Sequence, residues 1–175
     1  MVISKNDIRI RNAGAADCEQ LAAWWNDGKI MAHAGFPNGL GTTPEQIREE
    51  ISDDSDDTYR RLIIEYKGAS IGEMSYGNLG GNVAEIGIKI CNADCREKGL
   101  GRTILSMLIA ELFGRGYEKI VLDTNLKNER AQHVYEMLGF RKLRVNIDSW
   151  EDQLGELQSS VDYELVPADF TNYTA

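Results

Sequence analysis

The chain has 175 residues, 42% of them hydrophobic and 27% charged, which places it among soluble globular sequences and within the roughly 100–200 residues of one core-forming domain. Its formal net charge of −9 works against nucleic-acid backbones, which need clustered Lys and Arg, and favours cationic partners such as an amine. No apolar run approaches the roughly 18 residues of a membrane span, and the start Met1–Asp7 lacks the basic-then-apolar layout of a signal peptide. A cytoplasmic protein with no membrane partner is expected. Cys18, Cys91 and Cys95 are odd in number and awkwardly spaced for a disulfide framework or zinc ribbon. With only His33 and His133 to join them, no metal site is expected.

Ile8–Arg11 alternates apolar and charged residues and reads as a first strand. From Ala15 to Asp27, Cys18, Leu21, Ala22 and Trp25 recur at helical spacing, with Asn26-Asp27-Gly28 as the stop. Met31–Gly41 follows as a Gly-rich loop. A loop of that chemistry is more often functional than decorative, so His33 and Phe36 are candidates for substrate contact. Thr43-Pro44 supplies an N-cap and a first helical residue for a helix to about Ser52. The acids Asp53, Asp54, Asp56 and Asp57 read as a solvated connection. Tyr59–Tyr66 and Ser70–Tyr76 flank Lys67-Gly68-Ala69 as a hairpin, and a turn over Gly77–Asn82 leads to a third antiparallel strand, Val83–Cys91.

Gly99 and Gly101 stand where that strand gives way to a helical pattern. This is the layout of an anion cradle, because glycine main chain can approach a ligand closely and a helix N-terminus offers free N–H groups and positive dipole charge. The alternative is a plain strand-to-helix turn. No Walker string occurs, and the dinucleotide fingerprint fails because Ile104 holds the place of its third glycine. Leu100–Phe113 is apolar on nearly every side, as in a helix buried against a sheet, and Gly114 and Gly116 end it. Glu118–Asp123 is then a strand parallel to the previous one if the usual right-handed crossover holds. Asn128–Leu138 forms a helix. Phe140–Ile147 and Asp162–Val166 close the sheet around an acidic excursion, Asp148–Gln158, and the tail Ala168–Ala175 reads as mobile. The whole is one α+β domain over residues 1–175, with a central mixed, mostly antiparallel sheet of about six to seven strands flanked by helices.

Arg96-x-x-Gly99-x-Gly101, followed by Asn128-x-x-Ala131, Tyr135 and Gly139-Phe140, resembles the acetyl-CoA-binding core of the GNAT superfamily of N-acetyltransferases. The resemblance covers Glu85–Phe140. It implies acetyl-CoA as cosubstrate, its pyrophosphate held by the main chain of Glu97, Lys98, Gly99, Leu100, Gly101 and Arg102, with Arg96 and Arg102 adding charge. It also implies a splayed pair of parallel strands, in which Gly87–Ile90, through Ile88 and Ile90, meets the pantetheine arm like an added strand and a backbone N–H meets the thioester oxygen. Tyr135 matches the family's tyrosine and is the candidate general acid and cofactor contact, set against simple packing on an apolar helix stripe. Asn128 is an N-cap, a cofactor ligand, or both. For the base, Glu85 is preferred to Glu73, which is also a candidate for substrate contact.

The reaction implied is direct transfer of acetyl to a primary amine, small molecule or peptide N-terminus, in a ternary complex. A GNAT-like module that binds acyl-CoA without turnover stays open, as does a ping-pong route through Cys95 or Cys91. The segment Trp24-Trp25-Asn26-Asp27 resembles the branch holding protein N-terminal and small-molecule acetyltransferases. A homodimer is compatible with the sequence, since a symmetric interface leaves no mark in it.

Overall fold

The computed structural model describes residues 1–174. Its strands are β1 (Val2–Lys5), β2 (Ile8–Asn12), β3 (Tyr59–Tyr66), β4 (Ala69–Gly80), β5 (Val83–Ile90), β6 (Lys119–Asn125), β7 (Arg141–Glu151) and β8 (Leu157–Leu165). Its helices are α1 (Cys18–Trp25), α2 (Gly28–Met31), α3 (Pro44–Ser52), α4 (Leu100–Gly114) and α5 (Glu129–Met137). The strands form one sheet in the order β1-β2-β3-β4-β5-β6-β8-β7. Every pairing is antiparallel except β5 with β6.

Alternation along the strands sends apolar side chains to both faces. On one face Leu62, Ile64, Met74, Tyr76, Ala84 and Ile86 meet Ile104, Leu108 and Leu112 of α4, together with Tyr135 and Leu138 near α5. Full burial of each Leu or Ile here is worth roughly 1.5–3 kcal/mol, so the near-continuous apolar sequence of α4 is explained by its central place. On the other face α1 and α3 cover a smaller cluster of Cys18, Leu21, Ala22, Trp24, Ile47, Ile63 and Cys91. The Thr43 hydroxyl accepts from the Gln46 N–H while the Gln46 side chain accepts from the Thr43 N–H, a reciprocal cap that fixes the start of α3.

Several expectations need correction. The sheet has eight strands, because Val2–Lys5 pairs with β2 although its short pattern carries no strong period. The turn placed over Gly77–Asn82 is mostly strand, since β4 runs to Gly80. The acidic excursion is mostly hairpin: β7 continues to Glu151 and β8 begins at Leu157, around a turn in which Asp152 accepts from the N–H groups of Leu154 and Glu156. The tail up to residue 174 is docked, while Ala175 lies outside the described residues. The Thr171 N–H donates to the Leu138 carbonyl at 3.0 Å, the Tyr173 N–H donates to Ser106 Oγ at 3.0 Å, and the rings of Phe170 and Phe113 stand 5.8 Å apart. Gly139 permits this, because at φ 99° a Cβ there would lie 1.9 Å from the Asp169 carbonyl oxygen.

The acids after α3 are also more than a solvated connection. Asp54 pairs with Arg61, and Asp56 with Arg60 at 2.7 Å and Arg115 at 3.1 Å. Burial alone would raise the Asp56 pKa, but the two guanidinium groups outweigh it and hold it at about 2. The region Met31–Gly41 is partly helical, through the end of α2 and a 3-10 turn at Ala32–Ala34.

Candidate functional site

The strand pair β5 and β6 is joined only where Val83, Ala84 and Glu85 face Lys119, Ile120 and Val121. Beyond that point β5 runs to Ile90 and β6 to Asn125 without a further ladder pair, so the sheet opens between them. Ile88 and Ile90 lie on the open stretch, both packed against the larger core.

The chain leaves β5 through a 3-10 turn at Ala93–Cys95 and enters α4 at Gly99, which sits at φ 72° as N-cap. No side chain caps this helix, so its first N–H groups are available to an anion. Leu100 is half-buried in the first turn. The only near neighbour of a Cβ built on Gly101 is Ile90 Cδ1 at 3.7 Å, an ordinary contact. Packing within the protein therefore does not require glycine at 101; bare main chain suits a ligand that approaches it. Arg96 donates from Nε to the Ile90 carbonyl at 3.0 Å, and the Arg102 guanidinium lies 4.9 Å from the Tyr173 ring centre. Lys98 is exposed beside them. Glu97, the one acid in the loop from Arg96 to Arg102, is paired with Arg130 of α5. The local field is thus positive, and the residues fit a pyrophosphate group.

Asn128 caps α5, its Oδ1 accepting from the Ala131 N–H at 3.2 Å, which uses one end of the amide. Tyr135 is 7% exposed, with the rings of Phe140 and Tyr163 each 5.8 Å away. Burial, with a smaller contribution from Asp123, pushes its phenol up to about 12. The hydroxyl keeps its proton throughout the neutral range. Asp123 stands on β6 two residues past the last parallel pair.

On the α1/α3 face lies a cavity of about 360 Å³. Its floor is the β4/β5 ladder, where Glu73 pairs with Lys89 and Ser75 with Gly87, leaving the sheet bare at Gly87. Trp25, Met31, Phe36 and Leu40 wall one side, and Tyr59 and Arg61 of β3 another. Glu73 is 8% exposed; it accepts from Trp25 Nε1 at 2.7 Å and lies 3.3 Å from Lys89 Nζ. Arg61 pairs with Glu50 at 3.0 Å and with Asp54.

The wall is fastened from afar by the β7/β8 hairpin. The Gln153 N–H donates to the Gly35 carbonyl at 2.8 Å, its Nε2 donates to the Gly39 carbonyl at 2.9 Å, and its Oε1 accepts from the Asn38 N–H at 2.9 Å. The Trp150 ring lies against Gly35.

Phe36 and Glu73 therefore meet in one cavity, whereas His33 is exposed on the 3-10 turn and does not line it. Glu85 shares the face of Glu73, opposite Gly77 and Val121, but is exposed and outside the lining. Sequence reasoning missed Trp25 as a contact, along with Tyr59, Arg61, Lys89 and Gln153. For Trp25 a signal existed, since an indole next to the buried Trp24 cannot share its direction on one helix. Gln153 carried none. Cys91 and Cys95 are both buried, and burial, with Glu73 adding, pushes the Cys91 thiol up to about 12, the opposite of an activated nucleophile.

The acetyltransferase (GNAT) domain family matches residues 7–141. Among solved structures, the spermidine N-acetyltransferase from Vibrio cholerae in complex with CoA and spermine is 20% identical, with a TM-score of 0.80 over 94% of this chain and 98% of that one. A ribosomal-protein-alanine N-acetyltransferase from Brucella melitensis is 21% identical, with a TM-score of 0.75 over 90% and 98%. These two likenesses speak to the fold. The mycothiol acetyltransferase of Cellulomonas flavigena is 26% identical over 133 residues, which are 70% of this chain and 38% of that protein's length. The family match spans most of the chain, including the opened strand pair and the uncapped helix, and the chain belongs to the GNAT family of acetyl-CoA-dependent N-acetyltransferases.

Proposed function

We propose that this protein transfers an acetyl group from acetyl-CoA directly to a primary amine in a ternary complex. The observation that carries the reading is the opening between β5 and β6, which has the anion cradle at one end and borders a walled cavity on the α1/α3 face. Acetyl-CoA would supply the activated acyl group as a thioester. Main-chain N–H groups from Glu97 to Arg102 hold the pyrophosphate, with Arg96, Lys98 and Arg102 adding charge. The open edge of β5 through Ile88 and Ile90 takes the pantetheine arm, and a backbone N–H there polarises the acyl carbonyl. Asn128 holds the start of α5 and so the placement of Tyr135.

Tyr135 carries a proton on its hydroxyl at neutral pH and gives it to the departing sulfur. Glu85 takes the proton of the amine, through a water. Glu73, engaged by Trp25 and Lys89, positions the cavity wall instead. The buried thiols Cys91 and Cys95 take no part. The test is release of free thiol from acetyl-CoA across a panel of amines, beside calorimetric titration of CoA. Acceptor-dependent release is expected, and Tyr135→Phe should lower kcat by about 10²–10⁴ with CoA affinity kept. CoA binding without release under any amine would leave a cofactor-binding module and overturn the reading.

A further inference from the structure

We infer that the acceptor is a singly charged primary amine bearing an aromatic or branched aliphatic body, and that polyamines are poor acceptors. The inference rests on the acetyl-transfer reading above and narrows it.

Charge is the first ground. The ionic groups lining the cavity are already matched with each other: Glu73 with Lys89 at 3.3 Å, and Glu50 with Arg61 at 3.0 Å, while Arg61 also holds Asp54. Trp25 donates to the same Glu73 oxygen that faces Lys89. A second or third ammonium lodged here would lose water and find no free carboxylate to replace it, a cost that an internal polycation site must avoid. On this face of β5 and β6, the carboxylates without an ion pair among the described residues are Glu85 and Asp123. Both lie outside the lining, toward the parallel pair, which is where the reacting amine must be. One ammonium is provided for, at one end.

Surface chemistry is the second ground. The walls are Trp25, Met31, Phe36, Leu40 and Tyr59. Leu40 and Tyr59 are 40% and 44% exposed, large apolar side chains that their own fold leaves uncovered. A volume of about 360 Å³ lies at the lower end of small-molecule sites, roughly 300–1,000 Å³. It suits an arylalkyl group or one apolar side chain. The wall is also held in place beforehand, because Gln153 fixes Gly35, Asn38 and Gly39 on either side of Phe36 and beside Leu40. Gly87 carries no side chain on this floor, between the apolar pocket and the open edge of β5, and its nearest neighbour there is Ser75 Oγ, 3.2 Å from the place of a Cβ.

An amine of this kind comes either free or as a peptide N-terminus. The experiment uses the full chain with acetyl-CoA and compares phenethylamine, a hexapeptide beginning with Phe, and spermidine by thiol release. In parallel, calorimetry follows phenethylamine and spermidine binding to the protein loaded with CoA. At least one apolar acceptor should exceed spermidine in kcat/KM by about tenfold or more, and Phe36→Ala should raise the KM for that acceptor by about tenfold while the affinity for CoA stays the same. Preference for phenethylamine or for the peptide separates the two sources. Equal or better use of spermidine overturns the inference and leaves acetyl transfer standing. Absence of turnover with all three, with CoA bound, sinks the catalytic reading. The pocket is then judged by calorimetry alone, where tighter phenethylamine supports it and equal or tighter spermidine overturns it.

Discussion

The two halves of the site are built from different material. The cradle is main chain: an uncapped helix end, a left-handed Gly99 and the open edge of β5, contiguous in sequence from Ile88 to Arg102. The cavity is side chains, drawn from α1, the segment after it, β3, β4 and β5, and latched by Gln153 more than a hundred residues from the glycines it holds. Backbone sites are insensitive to most substitutions and demand glycine at a few places. Side-chain sites can be remade one residue at a time. A single fold can thus keep one cosubstrate while its acceptor changes.

Substitutions separate the two halves by size of effect. After Tyr135→Phe, the largest loss should come from Gly99→Val. A β-branched residue in the left-handed region costs roughly 1–2 kcal/mol or more, so calorimetry should find CoA affinity reduced by about tenfold, with the acceptor preference unchanged. Gln153→Ala should act on the other half alone. Freeing the segment at Gly35–Gly39 should raise acceptor KM by about threefold to tenfold while CoA titrates as before; a matching loss of CoA affinity would show that the halves are not independent. Thr43→Ala removes the cap of α3 and should cost about 1 kcal/mol in denaturant unfolding, shifting neither Kd nor KM ratios.

Alkaline pH should act on the fold as a whole. Cys91 rises from 9.0 to about 12, and Tyr76 and Tyr135 rise from 10.0 to about 12, in each case through burial first. Each group is protonated in both states below its unfolded value, so stability is unaffected there. Between pH 9 and 12 the unfolded chain loses these protons while the native chain keeps them, so stability must fall with rising pH across that window. Denaturant midpoints measured from pH 8 to 11 check the sign, and a flat profile would refute it.

This division also explains what could be read from the sequence. The family, the cradle and the order β3-β4-β5-α4-β6-α5 are local patterns, visible as Gly99-x-Gly101, a run of apolar residues from Leu100, and Asn128 ahead of Tyr135. Glu73 and Phe36 came from single residues of the right chemistry in plausible segments, and the same reasoning also produced His33, which does not line the cavity. Trp25 and Lys89 matter through their contacts with Glu73, and Arg61 through its contact with Glu50, and these appear only after the strands are in register. The tail was misread because Phe170 and Tyr173 are too few to form a period, although each finds a place against α4.

The short parallel seam has a mechanical consequence. It divides the sheet into a block of β1 to β5 and a block of β6, β8 and β7, joined within the sheet by three facing residue pairs and outside it by the α4 crossover and the latch of Gln153 onto Gly35, Asn38 and Gly39. A hinge so lightly stitched should breathe, and a molecule lying along the opening would act as a splint across it. Deuterium uptake in Gly87–Ile90 and Asp123–Asn125 should accordingly slow on adding CoA, more than anywhere in the α1/α3 layer.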